Sequence, residues 1–296
     1  MAQQDLLRIA DQRAATPRLR WLTLDAPELA RSVRPGQYLL LRCTGPGSYD
    51  PLLRRALFVA AAEPALGQIG LLYEPDERGL AWLARGRTGD TLDVIGPLGQ
   101  PFAIGAHARN LLLIGQGPSL AALLLLARAA AARGRAVTLL AGAADADALP
   151  PPFLLPGEVE YQAVSGRAID LLTQTENQEP SIPEQRGPEP RTENGHPQGQ
   201  PQNRRTGRVT PSPAHPLTWA DQVFAALPND QLPALGDAVR AVRYRWARGF
   251  ASALLEGPIV CGVGACGVCA TELRKSTRLL CSDGPVFDLR DLAGIH

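Results

Sequence analysis

The sequence holds no run approaching the ~18 uninterrupted apolar residues that a membrane-spanning helix needs, and Met1 to Arg20 has no apolar core of the kind a secretion signal carries. Those two absences predict a chain that stays in the cytoplasm and off the membrane. A formal net charge of +1 gives no basic excess with which to hold a polyanion, so no nucleic-acid partner is expected. Histidine is scarce: of four, His196 and His215 fall in a polar stretch and His296 is the last residue, which leaves few groups for acid–base catalysis near neutral pH. That stretch, Thr173 to Pro216, is itself short of large apolar residues and rich in Gln, Pro, Glu, Arg, Asn and Gly. Its burial cannot offset the entropy of ordering, so residues 173–216 are expected to form a disordered surface insertion, with the Arg204-Arg205 pair read as part of a solvated linker.

The chain does have a compact group of cysteines. Four of the five lie between Cys261 and Cys281, spaced C-x4-C-x2-C-x11-C, the first three within the run Cys261-Gly262-Val263-Gly264-Ala265-Cys266-Gly267-Val268-Cys269. The spacing C-x4-C-x2-C…C supplies the four thiolates that a 2Fe–2S cluster takes, and the glycines let a short loop close around the inorganic core with N–H groups turned toward its sulfides. Structural zinc is the alternative. Its sites usually pair two short C-x2–4-C knuckles, and here only Cys266 and Cys269 form one. Disulfides would need an oxidising compartment, for which the N-terminus gives no signal. Cys43, alone in an apolar run, reads as a small buried hydrophobe.

Periodicity divides the rest into two regions. From Arg18 to Phe102 short apolar segments alternate with turns: Leu19 to Leu24, Tyr38 to Cys43, Arg55 to Ala61, Gln68 to Tyr73 and Thr91 to Ile95. About six strands at this spacing predict a small antiparallel barrel. After Phe102 the apolar strand Asn110 to Ile114 leads through Gly115-Gln116-Gly117-Pro118-Ser119 into a helix, Leu120 to Arg133, and a second strand, Val137 to Ala141. This β-α-β unit predicts a parallel sheet with covered faces. Later strands are expected at Val159 to Val164 and Asp221 to Ala226, and a helix at Leu235 to Arg248. The fold class is thus β plus α/β: a six-stranded barrel over residues 1–104, a nucleotide-binding-like parallel-sheet domain over 105–255 with the insertion 173–216, and a cluster subdomain over 256–296.

The order of these parts, with the cysteine loop running into Cys281-Ser282-Asp283-Gly284-Pro285-Val286-Phe287, resembles the electron-transfer subunits of dihydroorotate dehydrogenase B in the ferredoxin–NADP reductase superfamily. The resemblance covers nearly the whole chain except the insertion. It implies a relay in pyrimidine (UMP) biosynthesis: an FMN-containing dihydroorotate dehydrogenase catalytic subunit as partner in a heterotetramer, a 2Fe–2S cluster on Cys261, Cys266, Cys269 and Cys281, an FAD, and NAD as the final acceptor. The same architecture serves reductase subunits of hydrogenase or transhydrogenase type, and a chain with degenerate nucleotide sites would be an iron–sulfur conduit with no enzyme activity of its own.

For FAD the resemblance points to Arg55, Ala56, Leu57 and Phe58, which match a family motif of the form R-P-[FLI]-S-[IL]; Arg55 keeps the charge for a pyrophosphate, and Phe58 stands where the serine is expected. It also points to Leu72, Tyr73 and Glu74 on the following strand. A Gly-x-Gly-Thr turn there appears as Glu77-Arg78-Gly79-Leu80, leaving the amides of Gly79 and Leu80 as contacts. For NAD the family's G-G-G-x-G turn appears as Gly115-Gln116-Gly117-Pro118-Ser119, so Gly115 and Gly117 are the candidate positions. The family's C-G-P appears as Ala226-Leu227-Pro228.

Overall fold

The computed structural model describes residues 3–45, 47–174 and 215–292. Most of the insertion 173–216 lies outside the described residues. At its margins the described chain is helical, in α4 (Leu171–Gln174) and α5 (Pro216–Trp219).

The N-terminal region is a closed antiparallel barrel of six strands in the order β1 (Gln3–Ala14), β2 (Arg20–Asp25), β5 (Gln68–Tyr73), β4 (Arg55–Glu63), β3 (Tyr38–Leu41) and β6 (Thr91–Leu98). Alternation is clean in β6, where every second position is buried, and Leu22, Leu24, Leu39, Leu41, Val59, Ile69 and Leu71 fill the interior. Each fully buried leucine of this kind contributes about 1.5–3 kcal/mol by leaving water. Two short helices, α1 (Pro27–Ser32) and α2 (Arg78–Leu83), close the barrel; Leu29 and Leu83 enter its core.

The longest strand is one that the sequence pattern does not reveal. In β1 only Leu7 and Ile9 are buried, and its polar run of Gln, Asp and Arg shows no clean period of two. It exists because it closes the barrel, pairing with β2 on one side and β6 on the other, a bulge between Ile9 and Asp11 adjusting the register.

The second region is a six-stranded sheet in the order β14 (Val286–Asp288), β11 (Ala251–Leu254), β10 (Gln222–Ala226), β7 (Asn110–Gln116), β8 (Ala136–Ala143) and β9 (Val159–Ser165). Five strands are parallel, as the β-α-β pattern predicts, and β14 from the C-terminal segment adds an antiparallel edge beside β11, so the whole sheet is mixed. Val286 and Phe287, in the run that follows Cys281, therefore belong to an edge strand. Helix α3 (Ala121–Ala131) begins one residue after the position expected and is apolar on every side except at Arg128, whose guanidinium donates to the Leu154 carbonyl. It has to be so apolar because one face packs on the sheet while Leu125 reaches the barrel core. Helix α6 (Leu232–Val242) starts and stops earlier than Leu235 to Arg248. Pro233 suits its first turn, and Arg243 leaves the helix to bond the carbonyls of Leu217, Thr218 and Ala220 while stacking 4.4 Å over the Phe250 ring.

The C-terminal segment leaves the sheet after β11 and forms the cysteine loop. A small hairpin follows, β12 (Ala270–Glu272) with β13 (Thr277–Leu279), before the chain returns in β14. Among the described residues no helix is long and apolar enough to cross a membrane.

Candidate functional site

The cysteine loop is shaped by left-handed glycines. Gly262, Gly264 and Gly267 take φ of 74°, 77° and 72°, a region that side-chain-bearing residues avoid, and they turn the chain tightly between Cys261 and Cys269. The hairpin of β12 and β13 then carries Cys281 back beside Cys269, with the sulfurs 3.2 Å apart, well beyond the ~2.05 Å of a disulfide. These two thiols are buried, at 2% and 1% exposure. The other two, Cys261 and Cys266, lie toward the surface and interact through their side chains. The four sulfurs thus come as two pairs, one inside and one outside.

Backbone donors are turned toward both pairs. The N–H of Gly264 donates to Cys281 Sγ at 3.1 Å. The N–H groups of Val263 and Cys266, then the Cys266 side chain and the N–H of Ala265, draw the Cys261 thiol down to about 6, so that it ionises at neutral pH. Burial, and then the neighbouring Cys269 side chain, push Cys281 up to about 12. A buried thiol of that kind ionises when a cation lies against it. Among the described residues no three His, Cys, Asp or Glu side chains form a group around one metal ion. Two pairs of sulfurs fit the two thiolates that each iron of a two-iron cluster takes. Cys43 is buried in the barrel, its thiol pushed up to about 12 chiefly by burial.

The cysteine segment docks on the barrel's outer face. Ile259 packs with Tyr38, Leu40 and Leu98, and Gln100 Nε2 donates to the Ser282 carbonyl at 2.9 Å. Tyr38 is completely buried; its hydroxyl donates to the Cys281 carbonyl at 3.3 Å and its ring meets Phe58 edge-on, 6.0 Å between centroids. Sequence inspection missed Tyr38 because its role depends on a contact with a residue more than two hundred positions away. Tyr38→Phe removes the hydroxyl and leaves that carbonyl unpaired, so the cluster-loaded protein is expected to lose about 1–2 kcal/mol in thermal or denaturant unfolding. An unchanged unfolding curve would deny the bond any structural weight.

The candidate flavin residues divide by face. On β4, Leu57 points into the barrel core, while Ala56 and Phe58 face outward, Phe58 where barrel, sheet and cysteine segment meet. On β5, Tyr73 turns inward and its buried hydroxyl has no protein partner, whereas Leu72 packs toward the sheet. Glu74 is bonded to Arg18, which also pairs with Asp145 across the cleft between barrel and sheet. Arg55 and the turn at Gly79 and Leu80 do come together, but an unforeseen residue lies between them. Glu77 forks onto Arg55, with Nε–Oε1 at 2.9 Å and Nη2–Oε2 at 2.7 Å, and accepts the Leu80 N–H at 2.6 Å. Its carboxyl is lowered to about 2, first by the Arg55 hydrogen bond. Gly79 is buried beneath this pair, and a Cβ there would stand 2.9 Å from Glu77 Oε1 and 3.0 Å from Arg55 Nε. Arginine, bare glycine and the Gly79 and Leu80 amides form a cradle, occupied by the Glu77 carboxylate, whose donor set fits one phosphate-sized anion.

On the sheet side the two glycines have different settings. A Cβ on Gly115 would come within 2.8 Å of Leu120 and 2.9 Å of Leu123, so this position lets the helix approach the strand. Gly117 faces open space on a cleft of about 240 Å³. The cleft lies outside the carboxyl ends of β7 and β10, bordered by Gln116, Pro118 and Pro228, where strand order reverses and nucleotides bind in open α/β sheets. Pro118 offers no N–H there, and Ser119 Oγ is held by Glu256 at 2.7 Å.

The barrel, the α/β sheet and the four-cysteine segment together define a chain with a ferredoxin-reductase-like fold. Residues 256–293 match the family model described as the iron–sulfur cluster binding domain of dihydroorotate dehydrogenase B. The whole chain is similar to electron transfer subunits of that enzyme. It is 29% identical over 292 residues to "Dihydroorotate dehydrogenase B (NAD(+)), electron transfer subunit" of Geobacillus thermodenitrificans, covering 97% of each chain. With the subunit of the same name from Shouchella clausii it is 29% identical over 279 residues, covering 92% of this chain and 91% of the relative. In three dimensions it is similar to the structure of an NADH-dependent reduced ferredoxin-NADP oxidoreductase, with a TM-score of 0.69 at 19% identity over 97% of this chain and 89% of the other. At that identity the likeness concerns the fold.

Proposed function

We propose that this chain is an electron-transfer subunit that passes electrons between an FMN-containing dihydroorotate dehydrogenase catalytic subunit and NAD, in pyrimidine biosynthesis. The observation that carries the reading is the set of four thiols in two pairs, within a segment matching the dihydroorotate dehydrogenase B model and docked on a barrel beside Phe58. Cys261, Cys266, Cys269 and Cys281 hold the 2Fe–2S cluster, which supplies one-electron transfer. The exposed pair, flanked by the exposed Val263 and Val268, faces the partner, and the buried pair faces the barrel. A flavin bound on the outer face of β4 and β5 supplies the coupling between single electrons and hydride chemistry. Arg55 binds its pyrophosphate, Ala56 and Phe58 border its ring, and Tyr38 fixes the distance from that surface to Cys281. The cleft at Gln116, Gly117 and Pro228 receives the nicotinamide. The working units are taken as 1–104, 105–255 and 256–296. The five unpaired cysteines suit a reducing compartment, and the proposal places the complex in the cytoplasm.

Co-expression with an FMN-containing dihydroorotate dehydrogenase subunit tests this directly. A complex of two copies of each subunit is expected, containing iron and FAD and reducing NAD on addition of dihydroorotate. Stable assembly with a hydrogenase or transhydrogenase subunit instead would reassign the partner. A second reading, an iron–sulfur conduit that binds neither nucleotide, is favoured by Glu77 on Arg55 and by Glu256 on Ser119. An anaerobic visible spectrum with cluster absorption and no flavin bands would select it.

A further inference from the structure

Both features that prepare Arg55 for phosphate are already engaged. Its guanidinium fork faces the Glu77 carboxylate at 2.7 and 2.9 Å, and its remaining Nη1 donates to the Leu53 carbonyl. Gly79, whose missing side chain leaves the space, is covered by the same carboxylate. A carboxylate presents two oxygens and a negative charge in the geometry that an arginine fork accepts from phosphate. Glu77 stands where the related turn has its first glycine, so the anion here belongs to the chain itself. The pair is neither sealed nor fully hydrated: the Arg55 side chain is 24% exposed and that of Glu77 38%, open enough for an incoming anion to compete.

We propose that Glu77 is an internal surrogate for the flavin's pyrophosphate, holding Arg55 while the seat is free and withdrawing when FAD binds. The inference rests on the flavin reading above and adds a competition to it. Two anions on one guanidinium repel each other, so FAD binds only the fraction of molecules in which Glu77 has let go, and its apparent affinity falls by that fraction. Half-occupancy by flavin is thereby moved to a higher FAD concentration than an unguarded seat would need.

The test is FAD titration of the full, cluster-loaded chain, followed by flavin fluorescence and by the unfolding midpoint. Glu77→Gln keeps a side-chain oxygen for the Leu80 N–H but removes the charge, and Glu77→Gly removes the side chain. Each is expected to tighten FAD at least about tenfold, a 1.4 kcal/mol effect, and to leave the affinity for riboflavin, which has no phosphate, unchanged. Combining Glu77→Gln with Arg55→Ala is expected to cancel the gain. Without flavin the Glu77 variants unfold at a lower temperature than wild type, and saturating FAD reverses the order. Equal or weaker FAD binding by both single variants overturns the proposal, as does an equal gain for riboflavin; in those outcomes FAD still binds and the flavin reading survives. If neither wild type nor either variant binds FAD, the proposal and the flavin reading fall together.

Discussion

Serine at position 269 is expected to abolish the cluster: iron content near zero, no broad visible absorption, and no paramagnetic signal on reduction. Cys269 is 2% exposed and its sulfur lies 3.2 Å from that of Cys281, so a hydroxyl there leaves one half-shell with a single thiolate and places an unpartnered polar group in a buried site. Cys43→Ala is the matched control. It removes an equally buried thiol from the barrel core, so it is expected to cost about 1 kcal/mol of stability and leave iron content at the wild-type value. Retention of colour and signal by Cys269→Ser would dismiss the cysteine set as the cluster's holder.

The second large effect is expected at Gly262. Its φ of 74° is unfavourable for any side chain, and a Cβ would meet Leu98 at 2.7 Å and Leu40 at 2.8 Å, in the patch that seats the cysteine segment on the barrel. Strain and overpacking together predict a loss of about 2–5 kcal/mol for Gly262→Ala, with reduced iron occupancy. Gly267 shares the backbone conformation, at φ 72°, but has nothing within 4 Å of its would-be Cβ. Gly267→Ala therefore reports backbone strain alone, about 1 kcal/mol. Denaturant unfolding of the two cluster-loaded variants separates the contributions; equal losses would show that the barrel contact adds nothing.

What could be read from the residues follows the distance over which each feature is determined. The cluster cysteines were legible because three of them and their glycines fall within nine consecutive positions, and Cys281 follows on the next hairpin. Strand β6 was legible because one buried face imposes alternation, and β2 to β5 because short apolar runs are bounded by turn residues. Strand β1 was not, since only two of its side chains are buried and its existence depends on pairing with β6 some ninety residues away. The antiparallel edge β14 was hidden for the same reason: three residues carry no period, and only the partner β11 defines them. Arg55 was found from its motif, whereas Glu77 was noticed only as a lost glycine. Nothing local to residue 77 shows that its carboxylate reaches back to a guanidinium on another strand.

The cysteine excursion opens and closes at one place. Strands β11 and β14 are neighbours, and the Leu255 N–H donates to the Pro285 carbonyl at 2.9 Å, so everything between them departs from and returns to a single doorway at the rim of the sheet. Topologically this is a very long hairpin loop carrying its own miniature hairpin. An insert attached in this way can unravel when its metal is lost while the framework behind it stays intact.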